Sequence, residues 1–180
     1  MADSKNTERC RRRLTVYPVP PGRNSMWYCF RDKSRLRVIY NFLLIWTARY
    51  LPWLGLKNVF YRLTGMKVGR NVAVGAMAVF DFFYPELITL EDNVVIGYNA
   101  TILAHEFLVH EYRLGPVVVG ANTLISANST VLAGVTIGSN TQISAMSLVN
   151  TDVPHNVLAG GVPVRVIRKL GETEEPGLER

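Results

Sequence analysis

The sequence predicts an all-β solenoid of short parallel strands, preceded by a basic N-terminal arm and a helical segment. An aliphatic residue recurs at six-residue intervals over much of the stretch from Val68 to Val149, and Asn, Asp or Gly fills the fourth place of most of these hexads. Residues 1–65 carry 13 Lys and Arg against 3 Asp and Glu, whereas residues 66–180 carry 7 against 11. Because the positive charge is confined to the N-terminal third, we do not expect a nucleic-acid-binding protein.

Residues 1–33 form the predicted arm, which is expected to be irregular because it is interrupted by Pro18, Pro20, Pro21 and Gly22. Its first residues are polar and then basic, without the apolar core of a secretory signal. The two cysteines, Cys10 and Cys29, have neither a CxxC nor a Cys/His metal spacing. Reduced thiols in a cytoplasmic protein are therefore expected.

The segment 34–65 predicts one helix that ends near Pro52 and a shorter helix that ends at Gly65. Its most apolar run, Val38 to Trp46, is far shorter than the ~20 residues needed to cross a bilayer. Two compatible roles remain open for this segment. The helices would cap the open end of the solenoid, or their Trp, Tyr and Arg side chains would make a peripheral contact with a membrane.

The hexads themselves determine the predicted architecture of residues 66–158. Asn and Gly readily adopt left-handed backbone angles and suit turns, and the small second-place residues let successive coils stack closely. One aliphatic residue in six is too sparse for an amphipathic helix, so three short strands per 18-residue coil are predicted. Antiparallel hairpins with Asn turns are the competing arrangement. The first places of the eleven hexads are all aliphatic: Val68, Val74, Leu90, Ile96, Ile102, Val119, Ile125, Val131, Ile137, Ile143 and Val149.

The repeat is interrupted after the hexad that begins at Ile102, whose fourth place holds His105. The next good hexad begins at Val119, 17 residues later, and 17 is not a multiple of six. Residues 108–118 are therefore expected to leave the coil as a loop. A neutral imidazole can take a proton from an alcohol near pH 7, but the spacing alone is equally compatible with a histidine that merely occupies a turn.

The stretches "VGANTLISANSTVLAGVTIGSNTQISAMSLV" and "VLAGGVPVRVIRKL" resemble the hexapeptide-repeat acyltransferases, and within them the galactoside, maltose and xenobiotic acetyltransferases. The resemblance covers about residues 66–170. It implies a left-handed parallel β-helix over residues 66–158, closed by a short helix within a C-terminal segment, 159–180, that ends in an acidic tail. It also implies a homotrimer with active sites between subunits, acetyl-CoA as acyl donor and no metal.

The resemblance places a catalytic histidine at His105, where it would act as general base while an acceptor hydroxyl attacks acetyl-CoA directly. Asp81 falls near a substrate-contacting asparagine of the galactoside enzymes. Candidate contacts to the acceptor, a small molecule or a glycan, are Asp81, Tyr84, Glu86 and His110. The group that orients His105 is left open, although the side chain of Glu106 is expected to point the opposite way in an extended stretch.

The same resemblance assigns the donor site to the C-terminal coils. Small residues, Ala127 and Ala145, match positions along the pantetheine arm, and Asn150 and Thr151 match a pair near the adenine. Cationic side chains form strong charge-assisted bonds to phosphate. The expected phosphate ligands are Arg165 and Arg168, with Lys169 in addition.

Two other functions compete with acyl transfer. His105 and His110 have the H-x4-H spacing found in γ-class carbonic anhydrases, which are zinc enzymes on a similar β-helix. A catalytic zinc generally takes three protein ligands, yet no histidine precedes His105, and the remaining one, His155, lies well downstream. The other alternative is a β-helix scaffold without activity, which explains neither the interruption at a histidine nor the basic "GVPVRVIRKL" segment.

Overall fold

The computed structural model describes residues 12–171. Two α-helices, α1 (Arg35–Tyr50) and α2 (Leu54–Leu63), fall inside the predicted helical segment, and short 3-10 helices span Ser25–Tyr28 and Pro85–Leu87. The rest is built mainly from short strands. In chain order they are β1 (Thr15–Pro18), β2 (Lys67–Val68), β3 (Ala73–Val74), β4 (Val79–Phe80), β5 (Ile88–Leu90), β6 (Val95–Ile96), β7 (Thr101–Ile102), β8 (His105–Phe107), β9 (Glu111–Leu114), β10 (Val117–Val119), β11 (Leu124–Ile125), β12 (Thr130–Val131), β13 (Thr136–Ile137), β14 (Gln142–Ile143), β15 (Leu148–Val149), β16 (Val157–Gly160) and β17 (Arg165–Lys169).

Three parallel sheets form the faces of a β-helix. The first face holds β2, β5, β10 and β13, the second holds β3, β6, β11, β14 and β16, and the third holds β4, β7, β12 and β15. Strands that follow one another in a coil lie on successive faces, so the chain winds around one axis. Equivalent hexad positions stack in register, as in the pairing of Ile125 with Ile96 above and Ile143 below.

The first-place aliphatic residues form the core of the β-helix. From Val74 to Val149 each has at most 1 % of its surface exposed, whereas Val68, in the first coil, is half-buried. Phe80 lies six residues after Val74, is fully buried and pairs with Ile102. The sequence reasoning missed Phe80 because an aromatic residue followed by an irregular stretch does not match the aliphatic pattern.

Asparagine side chains stabilise one corner of the β-helix, between the first and second faces. Asn93, Asn122 and Asn140 have φ values of 54–59°, in the left-handed region that asparagine tolerates. Their amides are stacked into a ladder in which Asn93 donates to Asn122 over 2.8 Å and Asn122 donates to Asn140 over 3.2 Å. Each turn asparagine thus serves both the local backbone and the next coil.

Helices α1 and α2 cover the first coil, which has no preceding coil to bond with. The ammonium of Lys57 donates to the carbonyls of Val74 (2.9 Å) and Gly75 (3.1 Å), and Asn58 donates to Val72 (2.8 Å). Burial lowers the pKa of Lys57. These donors satisfy carbonyl groups that elsewhere in the solenoid accept from N–H groups of the preceding coil.

The N-terminal arm is more regular than predicted in its described part. Strand β1 pairs antiparallel with β9, so that Tyr17 lies opposite Tyr112 and the two rings stack with centroids 4.8 Å apart. The prolines of the arm come at the end of β1 and after it, where they do not interrupt the pairing.

The predicted short helix near the C-terminus is wrong for the part of the segment that the structure describes. Residues 165–169 form β17, which pairs antiparallel with β16 from Val157↔Lys169 to Gly160↔Arg165. Two β-branched residues, Val166 and Ile167, favour a strand, and the exposed edge of β16 offers backbone partners. The acidic tail, residues 172–180, lies outside the described residues.

Candidate active site

The interruption of the repeat is a β-hairpin and not the predicted 108–118 loop. His105 begins β8, which pairs with β9 so that His105 lies opposite Leu114. The chain rejoins the first face at Val117, opposite Ile88. The backbone of His105 does not adopt the left-handed angles of a turn residue. Instead, the chain continues into the extended strand β8, which forms a three-stranded sheet with β9 and β1.

The Nδ1 atom of His105 forms a hydrogen bond with the Oδ2 atom of Asp81, 24 residues earlier in the chain. The Asp81 side chain is fully covered, whereas the imidazole keeps 15 % of its surface exposed. A carboxylate only accepts hydrogen bonds, so in the neutral imidazole the proton lies on Nδ1. The lone pair is then on Nε2, which makes no hydrogen bond within residues 12–171.

Backbone groups fix the Asp81 carboxylate from two sides. Its Oδ1 accepts from the N–H groups of Phe83 (2.9 Å) and Tyr84 (3.0 Å), and its Oδ2 also accepts from Ala104 (2.9 Å). The prediction that Asp81 contacts substrate is therefore corrected. A fully covered side chain behind the imidazole orients His105 and cannot itself reach a ligand.

Glu106, the other carboxylate beside His105, belongs to a different group of contacts. It forms an ion pair with Arg12 and lies 4.0 Å from Arg113. Its side chain therefore takes part in holding the N-terminal arm against the hairpin, as expected from its position next to His105 in an extended strand.

Aromatic rings surround the imidazole. The ring centroid of His105 lies 4.5 Å from Phe107, 5.3 Å from Phe83 and 6.0 Å from Tyr84. Burial raises the pKa of the Tyr84 hydroxyl well above its ordinary value, so the phenol stays neutral near pH 7. Sequence reasoning named Tyr84 but missed Phe83 and Phe107, although the run "FDFFYPE" indicated an aromatic cluster.

The two remaining predicted acceptor contacts lie in different surroundings. Glu86 forms an ion pair with Lys33. The Lys33 ammonium also lies 5.0 Å from the Tyr84 ring centroid. His110 is exposed at the tip of the hairpin, five residues from His105. His105 lies opposite Leu114, whereas His110 lies in the turn beyond the pair of Phe107 and Tyr112, so the structure does not bring the two histidines together.

Within residues 12–171, no three His, Cys, Asp or Glu side chains come together in a way that could hold a metal ion. The third histidine, His155, is exposed, and its Nδ1 accepts from the backbone N–H of Ser139 over 2.8 Å. The three histidines thus occupy three separate surroundings.

The predicted donor-site residues occupy two corners of the β-helix. Ala127 and Ala145 follow β11 and β14 on successive coils, between the second and third faces. Asn150 and Thr151 follow β15, between the third and first faces, which is also the corner where His105 follows β7. A face is about one hexad wide, so the two corners of one chain lie on the order of 15 Å apart.

The cationic candidates Arg165, Arg168 and Lys169 are exposed on β17. A shallow cavity of about 190 Å³ lies beside them and is lined by residues that include Thr151, Asp152 and Arg165. Asn150 precedes Thr151 in the chain, and its Oδ1 atom is buried without a hydrogen-bond partner among residues 12–171. An unpaired buried acceptor close in sequence to this cavity suits a polar ligand that donates a hydrogen bond.

Comparison with known proteins identifies the family. The family model "Bacterial transferase hexapeptide (six repeats)" matches residues 116–151. The protein named "Putative acetyltransferase YvoF" from Bacillus subtilis (strain 168) is 44 % identical over 165 residues, which cover 91 % of this chain and 95 % of the relative. The chain belongs to the hexapeptide-repeat acyltransferases. Galactoside O-acetyltransferase of Escherichia coli (strain K12), another member, is 38 % identical over 120 residues, 62 % of this chain and 58 % of that protein.

Solved structures of other hexapeptide-repeat enzymes have the same fold. A maltose O-acetyltransferase from Clostridium difficile 630 superposes with a TM-score of 0.62 at 23 % identity, over 83 % of this chain and 98 % of that one. A galactoside acetyltransferase in complex with coenzyme A gives a TM-score of 0.58 at 23 % identity, over 83 % and 92 %. The predicted fold class, a left-handed parallel β-helix, and the predicted enzyme class, an acyltransferase, are confirmed.

Proposed function

We propose that this hexapeptide-repeat enzyme transfers an acetyl group from acetyl-CoA to a hydroxyl group of a small-molecule or glycan acceptor, with His105 as general base. The observation that carries the proposal is the pair formed by Asp81 and His105. Its geometry leaves Nε2 with a lone pair in a partly exposed, aromatic-walled position. The relatives named as galactoside and maltose O-acetyltransferases, and the neighbour solved with coenzyme A, support the donor and the hydroxyl acceptor.

In the proposed reaction the acceptor oxygen attacks the thioester carbonyl while its proton passes to Nε2 of His105. The resulting tetrahedral intermediate collapses with cleavage of the carbon–sulfur bond, and the departing CoA thiolate takes the proton back from the imidazolium. The buried Asp81 carboxylate holds the ring in the required tautomer and stabilises the imidazolium that forms. No covalent acyl-enzyme is needed, because both substrates are bound together.

The proposed donor site combines the two corners described above. The pantetheine arm would pass Ala127 and Ala145, the adenine would lie near Asn150 and Thr151, and the phosphates would meet Arg165, Arg168 and Lys169. The corner with the two alanines lies at the other end of a face from His105. In a homotrimer the alanine corner of one subunit can face the His105 corner of its neighbour, which would bring both to one thioester and favours active sites between subunits.

The experiment that tests the base is a thiol-release assay with acetyl-CoA and a panel of sugar and other alcohols. His105→Ala is expected to lower turnover at least ~10²-fold, the usual contribution of a general base, while calorimetry still detects acetyl-CoA binding. His110→Ala is the matched control, since His110 is exposed at the hairpin tip. Full turnover in His105→Ala would contradict the role proposed for the imidazole.

The proposed donor site is tested separately, by measuring acetyl-CoA binding. Replacing both Arg165 and Arg168 by alanine is expected to weaken acetyl-CoA binding at least tenfold in calorimetry, because two charge-assisted phosphate contacts are lost. Arg70→Ala serves as control, since Arg70 is exposed on the first coil and pairs with Asp92. If the wild-type protein binds no acetyl-CoA, the proposed donor is wrong.

A further inference from the structure

Helix α1 has two apolar sides, and only one of them faces the β-helix. The buried side carries Val38, Asn41, Ile45 and Ala48 at helical spacing. The outer side is an exposed stripe with the same spacing, and Leu36 at its start is 78 % exposed. A helix that is apolar on both sides is typically covered by a further layer. The exposed stripe consists of Leu36, Ile39, Leu43, Trp46 and Tyr50.

The apolar surface continues beyond α1. Trp53, in the turn to α2, is 65 % exposed, and α2 adds the exposed residues Leu56, Val59 and Leu63. We call this set, together with the stripe on α1, the helix surface. Exposed apolar side chains grouped on two neighbouring helices are typical of a site of contact. No helix within residues 12–171 is long and apolar enough to cross a membrane.

The two helices that carry this surface have only basic charged side chains. From Arg35 to Arg62 the chain has five Lys and Arg, of which Lys57 alone is buried, and no Asp or Glu. Arg35 and Arg37 are exposed on either side of Leu36. A symmetric contact between two copies of this surface would bring like charges together, whereas an anionic surface would be attracted to it.

Arginine and aromatic side chains are interleaved here. The guanidinium of Arg49 lies 5.7 Å from the Trp46 ring and 6.0 Å from the Tyr50 ring, and Arg37 lies 5.2 Å from the ring of Tyr40. Trp and Tyr prefer the level of lipid headgroups, where one end of the ring is apolar and the other wet, and basic residues there meet anionic lipid.

A row of aromatic rings connects the helix surface with His105. Phe42 stacks on Trp46 with centroids 5.7 Å apart and meets Phe82 at 5.5 Å. Phe82 lies 4.6 Å from Phe83, which lies 5.3 Å from His105. The amide of Asn41 also donates to the carbonyl of Phe82 over 3.2 Å, which fixes α1 to the segment that follows Asp81. The helix surface thus adjoins the candidate active site.

We propose that the helix surface docks this enzyme onto the surface of an anionic lipid bilayer, with the Trp and Leu side chains inserted among the headgroups and acyl chains. Insertion of the leucine side chains removes apolar surface from water, and exposed arginines add attraction to anionic lipid. Docking in this orientation leaves the β-helix outside the bilayer, because α1 and α2 cover only the first coil. The proposal concerns binding and does not depend on the chemistry proposed for His105.

The test is flotation of the full-length protein with vesicles of phosphatidylcholine alone and of equal parts phosphatidylcholine and phosphatidylglycerol. The wild-type protein is expected to float with the anionic vesicles, and less so in 0.5 M salt, which screens charge. The double variant Leu36→Ser, Leu43→Ser is expected to partition at least tenfold more weakly. The matched control is Val162→Ser, Ile167→Ser, which changes two exposed apolar residues at the other end of the β-helix.

Two results would overturn the proposal. Wild-type protein that stays with the unbound fraction on anionic vesicles excludes lipid docking. The other result comes from light scattering of the purified double variant. An assembly smaller than that of the wild-type and control proteins would assign the helix surface to a second copy of this chain. Equal assembly sizes with loss of flotation in the leucine variant alone support docking.

Discussion

Asp81 and His105 come from two excursions of the chain out of the repeat, each of which follows a strand of the third face. Asp81 directly follows β4, and His105 begins the hairpin three residues after the end of β7. Since β4 and β7 pair in parallel, with Phe80 opposite Ile102, the two excursions start side by side. The pairing of the strands therefore positions the carboxylate next to the imidazole.

At the scale of this residue pair, Asp81→Asn is expected to lower the turnover number by ~10²–10⁴-fold, because the amide does not enforce the tautomer or stabilise the imidazolium. Affinity for acetyl-CoA should stay within about twofold of wild type. Steady-state kinetics measure the turnover number, and calorimetry measures the affinity for acetyl-CoA.

The contrast between turnover and affinity separates orientation of His105 from a structural role of Asp81. A small loss of turnover would mean that the carboxylate only caps the backbone N–H groups of Phe83 and Tyr84. Sequence reasoning selected Asp81 but gave it a substrate contact. The hydrogen bond to His105 joins residues 24 positions apart, and their proximity depends on how the intervening coil closes.

At the scale of the element, close stacking of the coils explains the small second-place residues. A Cβ atom at Gly120 would lie 2.5 Å from the backbone nitrogen of Ser139 on the next coil, closer than real contacts allow. The same close approach occurs at Gly97 and Gly138. The second place is therefore restricted by the spacing between coils, as its small residues predicted.

Gly120→Ala is expected to lower the free energy of unfolding by about 1–3 kcal/mol, because the added methyl group must displace backbone of the next coil. Gly55→Ala, in α2, is the matched control, since no atom lies within 4 Å of a Cβ added there. Its stability should be unchanged or higher by up to about 1 kcal/mol. Denaturant unfolding at equal protein concentration compares the two, and equal stabilities would contradict the stacking explanation.

The hairpin and the C-terminal strand mark the limit of sequence reasoning at this scale. The end of regular hexads after Ile102 located the excursion correctly, but its strands form because β9 pairs with both β8 and β1. Likewise, the strand over residues 165–169 forms because β16 leaves an edge for it to join. A loop or a helix is predicted from a few neighbouring residues. The strands that decide these two cases, β1 and β16, lie outside those neighbouring residues.

At the scale of the whole molecule, the two corners of the proposed donor site predict shared active sites. His105→Ala subunits and Ala127→Trp subunits should each be inactive alone, the latter because the indole fills the path of the pantetheine. Random mixed trimers from coexpression should recover about a quarter of wild-type activity, since each site needs an intact His105 from one subunit and an intact Ala127 from its neighbour.

A mixture of wild-type and His105→Ala subunits is the control and should retain about half of the activity, in proportion to intact imidazoles. Absence of recovery in the first mixture, with trimers still formed, would mean that the site does not draw on two subunits. Thiol release at fixed total protein concentration measures both mixtures.

The sequence by itself determined the β-helix, its period and the place where the repeat is interrupted. These follow from a local pattern repeated many times: aliphatic residues that must be buried, asparagines that accept left-handed angles and small residues where coils touch. Only the tertiary structure decided that Asp81 lies behind His105, that the interruption is a hairpin held by β1, and that residues 165–169 form a strand. Those features occur once, and each depends on a partner distant in the chain, so no repeated pattern encodes them.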